Sequence, residues 1–381
     1  MQQKRIFISF LACLLILLIL SGFWFGKKKE KLKVYKIGAI LPLTGNVALF
    51  GQWHKQGFVI ALDRIKKEKI LKGKEIKIIY GDSKNLAKEG VTLMNKFISV
   101  YKVPVVISAM SGVSKPLIPI ADKNDVVLFL IDVTYPRITE ESPMVFRHFI
   151  QSDREAKALA EYAIETLGIK RFATLYLEDE TGLGAKSAFR HEVESHGGTI
   201  TCEESFAKTG LDFRSQITKI LQTTPEAVFV FGYGKSWSIV TKQLIEAGFK
   251  GQILANTVMW FPVFRKPLGK GAEGIIFTMP ALDIKSNDPE VKYFVIEYKK
   301  RFHADPPLEA AYAYDALMLI SKAISQRGYS AEGIRKGLLQ LRNFHGAFGK
   351  ISISPSGEIE TPILIAQVKQ GNIVILQKIE K

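Results

Sequence analysis

Short apolar runs alternate along this chain with segments in which apolar residues recur at helical spacing. Residues 37–41 (IGAIL) form one such run, and Pro42 and Gly45 close it. A short apolar run bounded by turn residues is typical of a strand buried on both faces of a parallel sheet. Phe58 and Ile65 then lie on one face of a predicted helix. The order is strand, polar loop, helix, and ligands bind at such loops in open α/β sheets.

The same order recurs through both halves of the chain. Further strands are predicted at 75–80, 103–108, 125–131, 171–177, 199–206, 227–231, 252–255 and 275–279, with helices between them. Strands that alternate with helices indicate parallel sheets with right-handed crossovers. Long helical patterns at 289–302 and 308–327 and short strands at 349–354 and 363–369 complete the pattern.

These elements predict an α/β protein with two doubly wound parallel-sheet lobes joined by a multi-strand hinge. The first lobe is expected to contain residues 34–150 plus 281–345, and the second lobe residues 151–280 plus 346–381. Because the chain passes between the lobes more than once, a hinged molecule with a central cleft is expected.

Residues 1–26 differ in character from the rest. A basic start, with Lys4 and Arg5, precedes an almost wholly apolar run at 6–25. This is the pattern of an export signal, and at about 20 residues the run could also span a bilayer as an N-terminal hydrophobic helix. No A-x-A cleavage pattern is present. The segment is therefore either a signal peptide or a membrane anchor, and a periplasmic or extracytoplasmic protein, tethered or free, is expected.

Charge and motifs exclude several function classes. The net charge is +16, but beyond Lys31 the lysines are interspersed with acids, which indicates a solvated surface and no nucleic-acid partner. Gly234-Lys235-Ser236 lacks the first glycine of a phosphate loop, and His191-Glu192 lacks a histidine at the zinc-binding spacing. We therefore expect no enzyme, no metal and no cofactor.

Two polar loops provide a candidate binding site. Ser111, beside Gly112, and Thr134 each follow one of two neighbouring strands. Hydroxyls and helix N-termini at such positions can hold a carboxylate, although either residue could instead only cap a helix.

From residue 35 to about residue 378 the chain resembles the type I periplasmic-binding family, specifically the leucine/isoleucine/valine-binding proteins of ABC importers. The order and spacing of several segments carry the resemblance. They are IGAILPLTGNVALFG, GFVIALDRI, ISAMSGVSKPLIPIADKNDVV, LIDVTYPRIT, TGLGAKSAFRHEVESHGGTI, DFRSQITKI, AVFVFGYG, LIEAGF and EAAYAYDALMLI. The resemblance implies the type I periplasmic-binding fold, in which two lobes close around an amino acid.

By matching position, the resemblance implies that Ser111 and Thr134 bind the ligand carboxylate together with backbone at Ala109 and Val133. Phe50, from the loop after the first strand, is expected to be an aromatic wall of the site. From the second lobe, Tyr233 matches a further aromatic contact.

Thr181 and Thr257 are also expected to bind the ligand, but both positions depart from the family pattern. Thr181 stands where an aromatic residue is usual, so one aromatic wall is missing. Thr257 stands where an acid normally pairs with the ligand ammonium, and a buried ammonium without a charged partner is costly. Two explanations stay open: the ligand carries no ammonium, or another acid replaces the missing one, the candidates being Asp132, Asp179, Glu180 and Asp283.

The sequence therefore predicts a solute-binding protein that captures a small hydrophobic amino acid of branched-chain type and delivers it to an ABC permease. The alternatives are a binder of a non-amino-acid carboxylate or amide, and a ligand sensor. A monomer is expected.

Overall fold

The computed structural model describes residues 34–45 and 47–379. The predicted signal or anchor at 1–26 lies outside these residues. Within the described ranges, none of the helices combines the length and the apolar character that crossing a membrane requires.

The first lobe is built on a five-stranded sheet in which every neighbouring pair is parallel, in the order β2-β1-β3-β4-β5. Most of these strands are buried on both faces, as their continuous apolar runs predict. The strands are β1 (Val34–Leu41), β2 (Glu75–Asp82), β3 (Val105–Ala109), β4 (Val127–Ile131) and β5 (Val145–His148).

The second lobe repeats this order. Its parallel strands lie in the order β7-β6-β8-β9-β10, and two antiparallel strands, β14 and β15, extend the sheet beyond β10. The strands are β6 (Arg171–Leu177), β7 (Thr199–Phe206), β8 (Ala227–Phe231), β9 (Gln252–Ala255), β10 (Ile276–Pro280), β14 (Ile363–Lys369) and β15 (Asn372–Ile379). The predicted fold class, two doubly wound parallel-sheet lobes, is confirmed.

Helices cover the sheets of both lobes. They are α1 (Ala48–Lys67), α2 (Ala87–Lys96), α3 (Ser111–Ser114), α4 (Ile118–Lys123), α5 (Ser152–Glu165), α6 (Glu180–Ser195), α7 (Arg214–Gln222), α8 (Gly234–Glu246), α9 (Pro262–Arg265), α10 (Pro289–Phe302), α11 (Leu308–Arg327) and α12 (Ala331–Gln340). α11 is buried along most of its length in the first-lobe core. Gly57 allows α1 to approach it closely, because a Cβ at that position would lie 2.1 Å from the Ala310 carbonyl oxygen.

Between 34 and 379 the chain crosses between the lobes three times: after β5, after β10 and before β14. The last crossing falls later than the expected boundary at residue 346. The strands β11 (Phe344–Gly346), β12 (Gly349–Ile353) and β13 (Ile359–Glu360) form a small sheet, and Ile351, Ile353 and Ile359 pack in the first-lobe core. A buried ion pair, Arg147 with Glu358 at 2.6 Å, ties this sheet to β5.

Candidate ligand-binding site

A cavity of about 270 Å³ lies between the lobes, next to the carboxyl ends of both sheets. This volume suits an amino acid or a comparable small molecule. Residues of both lobes line it, so that a ligand inside would contact both. Of the residues predicted for the site, five line the cavity: Phe50, Ser111, Thr134, Tyr233 and Thr257.

Ser111 and Thr134 form a polar corner of the first lobe. Ser111 is the first residue of α3, and Thr134 follows β4. The Thr134 backbone N–H donates to Ser111 Oγ at 3.2 Å, which leaves both hydroxyl hydrogens free for a ligand. The strand-end side chains of Ala109 and Val133 are fully buried in the core and do not line the cavity. The Val133 carbonyl oxygen accepts from Arg147 at 3.4 Å.

Aromatic side chains from both lobes meet in another part of the cavity lining. The Phe50 ring lies 5.5 Å from that of Phe261 and 6.4 Å from that of Phe264, measured between centroids. Phe50 begins α1, whereas Phe261 and Phe264 belong to the loop and short helix after β9. The cleft is therefore closed at this side by direct apolar contact between the lobes.

Tyr233 and Thr181 are both bound to Asp179. The Tyr233 hydroxyl donates to Asp179 Oδ2 at 2.6 Å, and Thr181 Oγ1 donates to Oδ1 at 2.7 Å. Burial and the Asp179 charge raise the Tyr233 pKa, so the hydroxyl stays protonated. Asp179 also caps α6 by accepting from the Gly182 N–H at 2.9 Å. Thr181 is buried in this cap and does not line the cavity, contrary to its expected role.

Thr257 lines the cavity and binds an acid that the sequence analysis did not single out. Its backbone N–H donates to Glu155 Oε1 at 2.8 Å, and its hydroxyl donates to the same oxygen. The Thr278 hydroxyl is a third donor to Oε1, at 2.7 Å. The other carboxyl oxygen, Oε2, is buried without a partner. Because Glu155 is fully buried, its pKa is raised to about 7.

Glu309 and Asp132 add two more acids to the cavity lining. Glu309 is the second residue of α11, is buried, and has an unpartnered Oε2. Burial and the nearby Asp132 raise the Glu309 pKa well above its ordinary value. His54 Nε2 lies 2.9 Å from Asp132 Oδ2, but the two atoms lack hydrogen-bond geometry.

Of the four acids considered as replacements for the one missing at Thr257, Asp132 alone lines the cavity. Asp179 is occupied by Tyr233 and Thr181. Glu180 pairs across the cleft with Lys115 at 2.9 Å, and Asp283 is exposed. Glu155 had one signal in the sequence: it lies on the apolar stripe of α5, four residues before Leu159.

The side chains that line the cavity are suited to recognising a small ligand. Among the described residues, His, Cys, Asp and Glu side chains form no group of three or more that could hold a metal ion. Hydroxyls, an apolar wall and carboxylates that converge on one enclosed cavity suit a small ligand with polar and apolar parts.

Two α/β lobes that enclose a ligand-sized cavity define a solute-binding protein. Residues 34–372 match the family model described as "Periplasmic binding protein", and the chain belongs to this family. The family comprises solute-binding proteins of ABC transporters, so the prediction that this protein is not an enzyme is confirmed. Membership also places the protein outside the cytoplasm.

Three similar proteins are named for, or solved with, different small molecules. "Leu/Ile/Val-binding protein homolog 3" of Brucella melitensis biotype 1 is 28% identical, over 90% of this chain and 93% of its own length. The crystal structure of a leucine-binding protein from Thermotoga maritima has a TM-score of 0.83 and 27% identity, and covers 91% of this chain and 99% of that one. A solute-binding protein of R. palustris in complex with 4-hydroxybenzoate has a TM-score of 0.80 at 21% identity, with 91% and 96% coverage.

Proposed function

We propose that this protein captures a small hydrophobic amino acid of the branched-chain type and delivers it to an ABC permease. The observation that carries the proposal is the cavity itself, which is lined both by hydroxyls of the first lobe and by aromatic rings from the two lobes. A hydrophobic amino acid has a carboxylate that the hydroxyls can bind and an apolar side chain that the aromatic rings can pack against.

In this arrangement the Ser111 and Thr134 hydroxyls donate to the ligand carboxylate, whereas Ala109 and Val133, which were also expected to bind it through backbone, do not line the cavity. The branched side chain packs against Phe50 and the second-lobe aromatic residues. The names of the Brucella and Thermotoga relatives, which refer to leucine, isoleucine and valine, support this ligand class.

The proposed mechanism is hinged closure of the lobes around the ligand. Lys115 of the first lobe contacts Glu180 of the second at 2.9 Å, and Phe50 contacts Phe261. These contacts join surfaces that separate when the cleft opens, so the closed form presents a distinct surface to the permease. We propose that the protein acts as a monomer.

A second candidate ligand is an aromatic or aliphatic carboxylate without an ammonium. The neutral Thr257 and the 4-hydroxybenzoate complex of the R. palustris relative favour it. A role in sensing would use the same cleft, and uptake of labelled ligand by the reconstituted permease would separate transport from sensing.

Isothermal titration of refolded, ligand-free protein with branched-chain amino acids tests the proposal. The double variant Ser111→Ala/Thr134→Ala should weaken binding by roughly 100-fold, because two hydrogen bonds to a charged group are lost. The matched control is Thr92→Ala/Ser99→Ala, whose hydroxyls donate only to backbone carbonyls on the surface of the same lobe. A double variant with full affinity would refute the assignment of the carboxylate site.

A further inference from the structure

A group of exposed lysines lies at the end of the first lobe where the first strand begins. Lys36 and Lys77 are partners in the parallel pairing of β1 with β2. Lys69, Lys72 and Lys74 belong to the connection between α1 and β2. We call these five lysines the entry patch. They bring several positive charges close to the start of β1.

Aromatic stacking and a hydrogen bond hold the parts of the entry patch together. The rings of Tyr35 and Tyr329 stack with their centroids 4.3 Å apart, and Lys74 Nζ lies 5.6 Å from the centre of the Tyr35 ring. Ser325 Oγ donates to the Ile70 carbonyl oxygen at 2.8 Å, which fixes the connection between α1 and β2 to α11. The start of β1, this connection and the end of α11 therefore form one surface.

The positive charge of the entry patch is not neutralised by acids. Within the described ranges, none of its lysines forms an ion pair. Glu68 pairs with Arg64 at 2.7 Å, which leaves Glu75 as the other acid between residues 68 and 77. The nearby end of α11 adds Lys322 and Arg327, both exposed. Lysines and acids alternate along the sequence here, but the fold leaves this surface with an excess of positive charge.

The chain that leads to the entry patch is also basic. Residues 27–33 read KKKEKLK and follow the almost wholly apolar run at 6–25. They lie outside the described ranges, but residue 33 is bonded to the first residue of β1, so this basic stretch joins the fold beside the patch. Lysines that follow a bilayer-length apolar run are typical of segments that bind anionic lipid headgroups.

We propose that the entry patch docks the first lobe on a membrane surface that contains anionic phospholipid. The lipid phosphates supply the negative charge that the fold lacks at this end, and the lysines at 27–33 add to the attraction. Each lysine close to an anionic surface strengthens binding by roughly fivefold. The attraction is electrostatic, so salt screens it.

Docking at this end leaves the ligand cavity accessible. The entry patch lies at the amino ends of β1 and β2, whereas the cavity lies next to the carboxyl ends of the sheet. In a parallel sheet these two ends lie on opposite edges. No lysine of the patch lines the cavity. The inference therefore adds an interaction with the membrane surface and does not depend on which ligand the cleft binds.

Lysine footprinting of the full-length chain in lipid vesicles tests the proposal. An amine-reactive ester modifies exposed lysines, and mass spectrometry gives the rate of modification at each position. Vesicles of phosphatidylcholine and phosphatidylglycerol in equal amounts are compared with vesicles of phosphatidylcholine alone. The reference lysines are Lys170, Lys250 and Lys270, which are exposed and precede strands β6, β9 and β10 at the corresponding end of the second lobe.

On the anionic vesicles the entry patch should be modified at least ~3-fold more slowly, relative to the reference lysines, than on the neutral vesicles. The neutral vesicles control for proximity to the bilayer that the apolar run alone would cause. Salt at about 1 M, where the Debye length is about 3 Å, should abolish the difference. Equal modification of the patch on the two kinds of vesicle would overturn the inference.

The variant Lys72→Gln/Lys74→Gln/Lys77→Gln removes three charges and leaves Lys36 and Lys69 as reporters. All three substituted side chains are exposed, so the fold is expected to be unaffected. Binding to the anionic surface should weaken by roughly 100-fold, at about fivefold for each lysine. Lys36 and Lys69 should then lose most of their protection on anionic vesicles.

The matched control is Lys170→Gln/Lys250→Gln/Lys270→Gln, which lowers the net charge by the same amount at the other lobe. This variant should keep the protection of the entry patch. If both triple variants lose the protection equally, net charge and not the patch causes the attraction, and the inference is overturned. Wild-type protection of the reporters in the first variant would overturn it as well.

Discussion

Glu155→Gln should stabilise the ligand-free protein at high pH. The carboxyl group is fully buried without a neighbouring cation, and its pKa is raised from 4.5 to about 7. Burial is the main cause and Asp153 on the same helix adds to it, while the hydrogen bonds from Thr257 and Thr278 act in the opposite direction. A glutamine cannot ionise, and its amide oxygen can still accept from Thr257 and Thr278.

The sign of the effect follows from proton linkage. Between pH 4.5 and 7 the native state binds more protons at Glu155 than the unfolded state does, so wild-type stability falls as the pH rises through this range. A shift from 4.5 to about 7 corresponds to about 3 kcal/mol at 1.36 kcal/mol per pH unit. The free energy of unfolding of the variant relative to wild type should therefore increase by about 3 kcal/mol between pH 4 and pH 8.

Urea unfolding followed by tryptophan fluorescence measures this difference, provided that bound ligand is first removed. Glu192→Gln is the control. It is expected not to stabilise at pH 8, because the Glu192 carboxylate lies 3.2 Å from His196 and 3.8 Å from Lys157. A difference between Glu155→Gln and wild type that is the same at pH 4 and pH 8 would refute the reasoning.

Three further predictions concern the aromatic wall, proton exchange and helix packing. Phe50→Ala should weaken amino-acid binding by roughly 30-fold in calorimetry, because a buried aromatic contact with Phe261 and the ligand is lost; unchanged affinity would remove Phe50 from the site. Amino-acid binding near pH 7 should release protons, since a cationic ammonium inside the cavity that Glu155 lines would lower the Glu155 pKa; calorimetry in two buffers of different ionisation enthalpy would show uptake or no exchange if this is wrong. Gly57→Ala should lower the free energy of unfolding by about 1–3 kcal/mol or more, because the added Cβ meets the Ala310 carbonyl; urea unfolding with wild-type stability would contradict this.

The local pattern of apolar and polar residues predicted much of the fold. The bounds expected for α10, α11 and β14 agree with the structure, because buried runs and long apolar stripes mark them. Strand β5 was not predicted. Its fully buried Arg147 and His148 look unsuited to a core strand, yet they pair with Glu358 and Asp315, which lie 211 and 167 residues away in the sequence. Such pairing leaves no local signal.

The residues of the candidate site were likewise only partly predictable from the sequence. Phe50, Ser111, Thr134 and Tyr233 follow strand ends, a position that sequence order reveals, and all line the cavity. Phe261, Glu155 and Glu309 also line the cavity, but the sequence did not predict them. Glu155 lies on a helix whose composition otherwise predicts only core packing, and Glu309 is the second residue of a helix that is buried along most of its length. Both approach the cavity through contacts between distant segments.

A charged residue on an apolar helical stripe costs stability unless a partner compensates it. Glu155 has hydrogen-bond donors for one oxygen and no cation for either, so the ligand-free fold carries that cost. The neutral Thr257 reduces this cost, because its N–H and hydroxyl both donate to Glu155 Oε1. The neutral Thr257 and the buried Glu155 are thus directly linked, through two hydrogen bonds to one carboxyl oxygen.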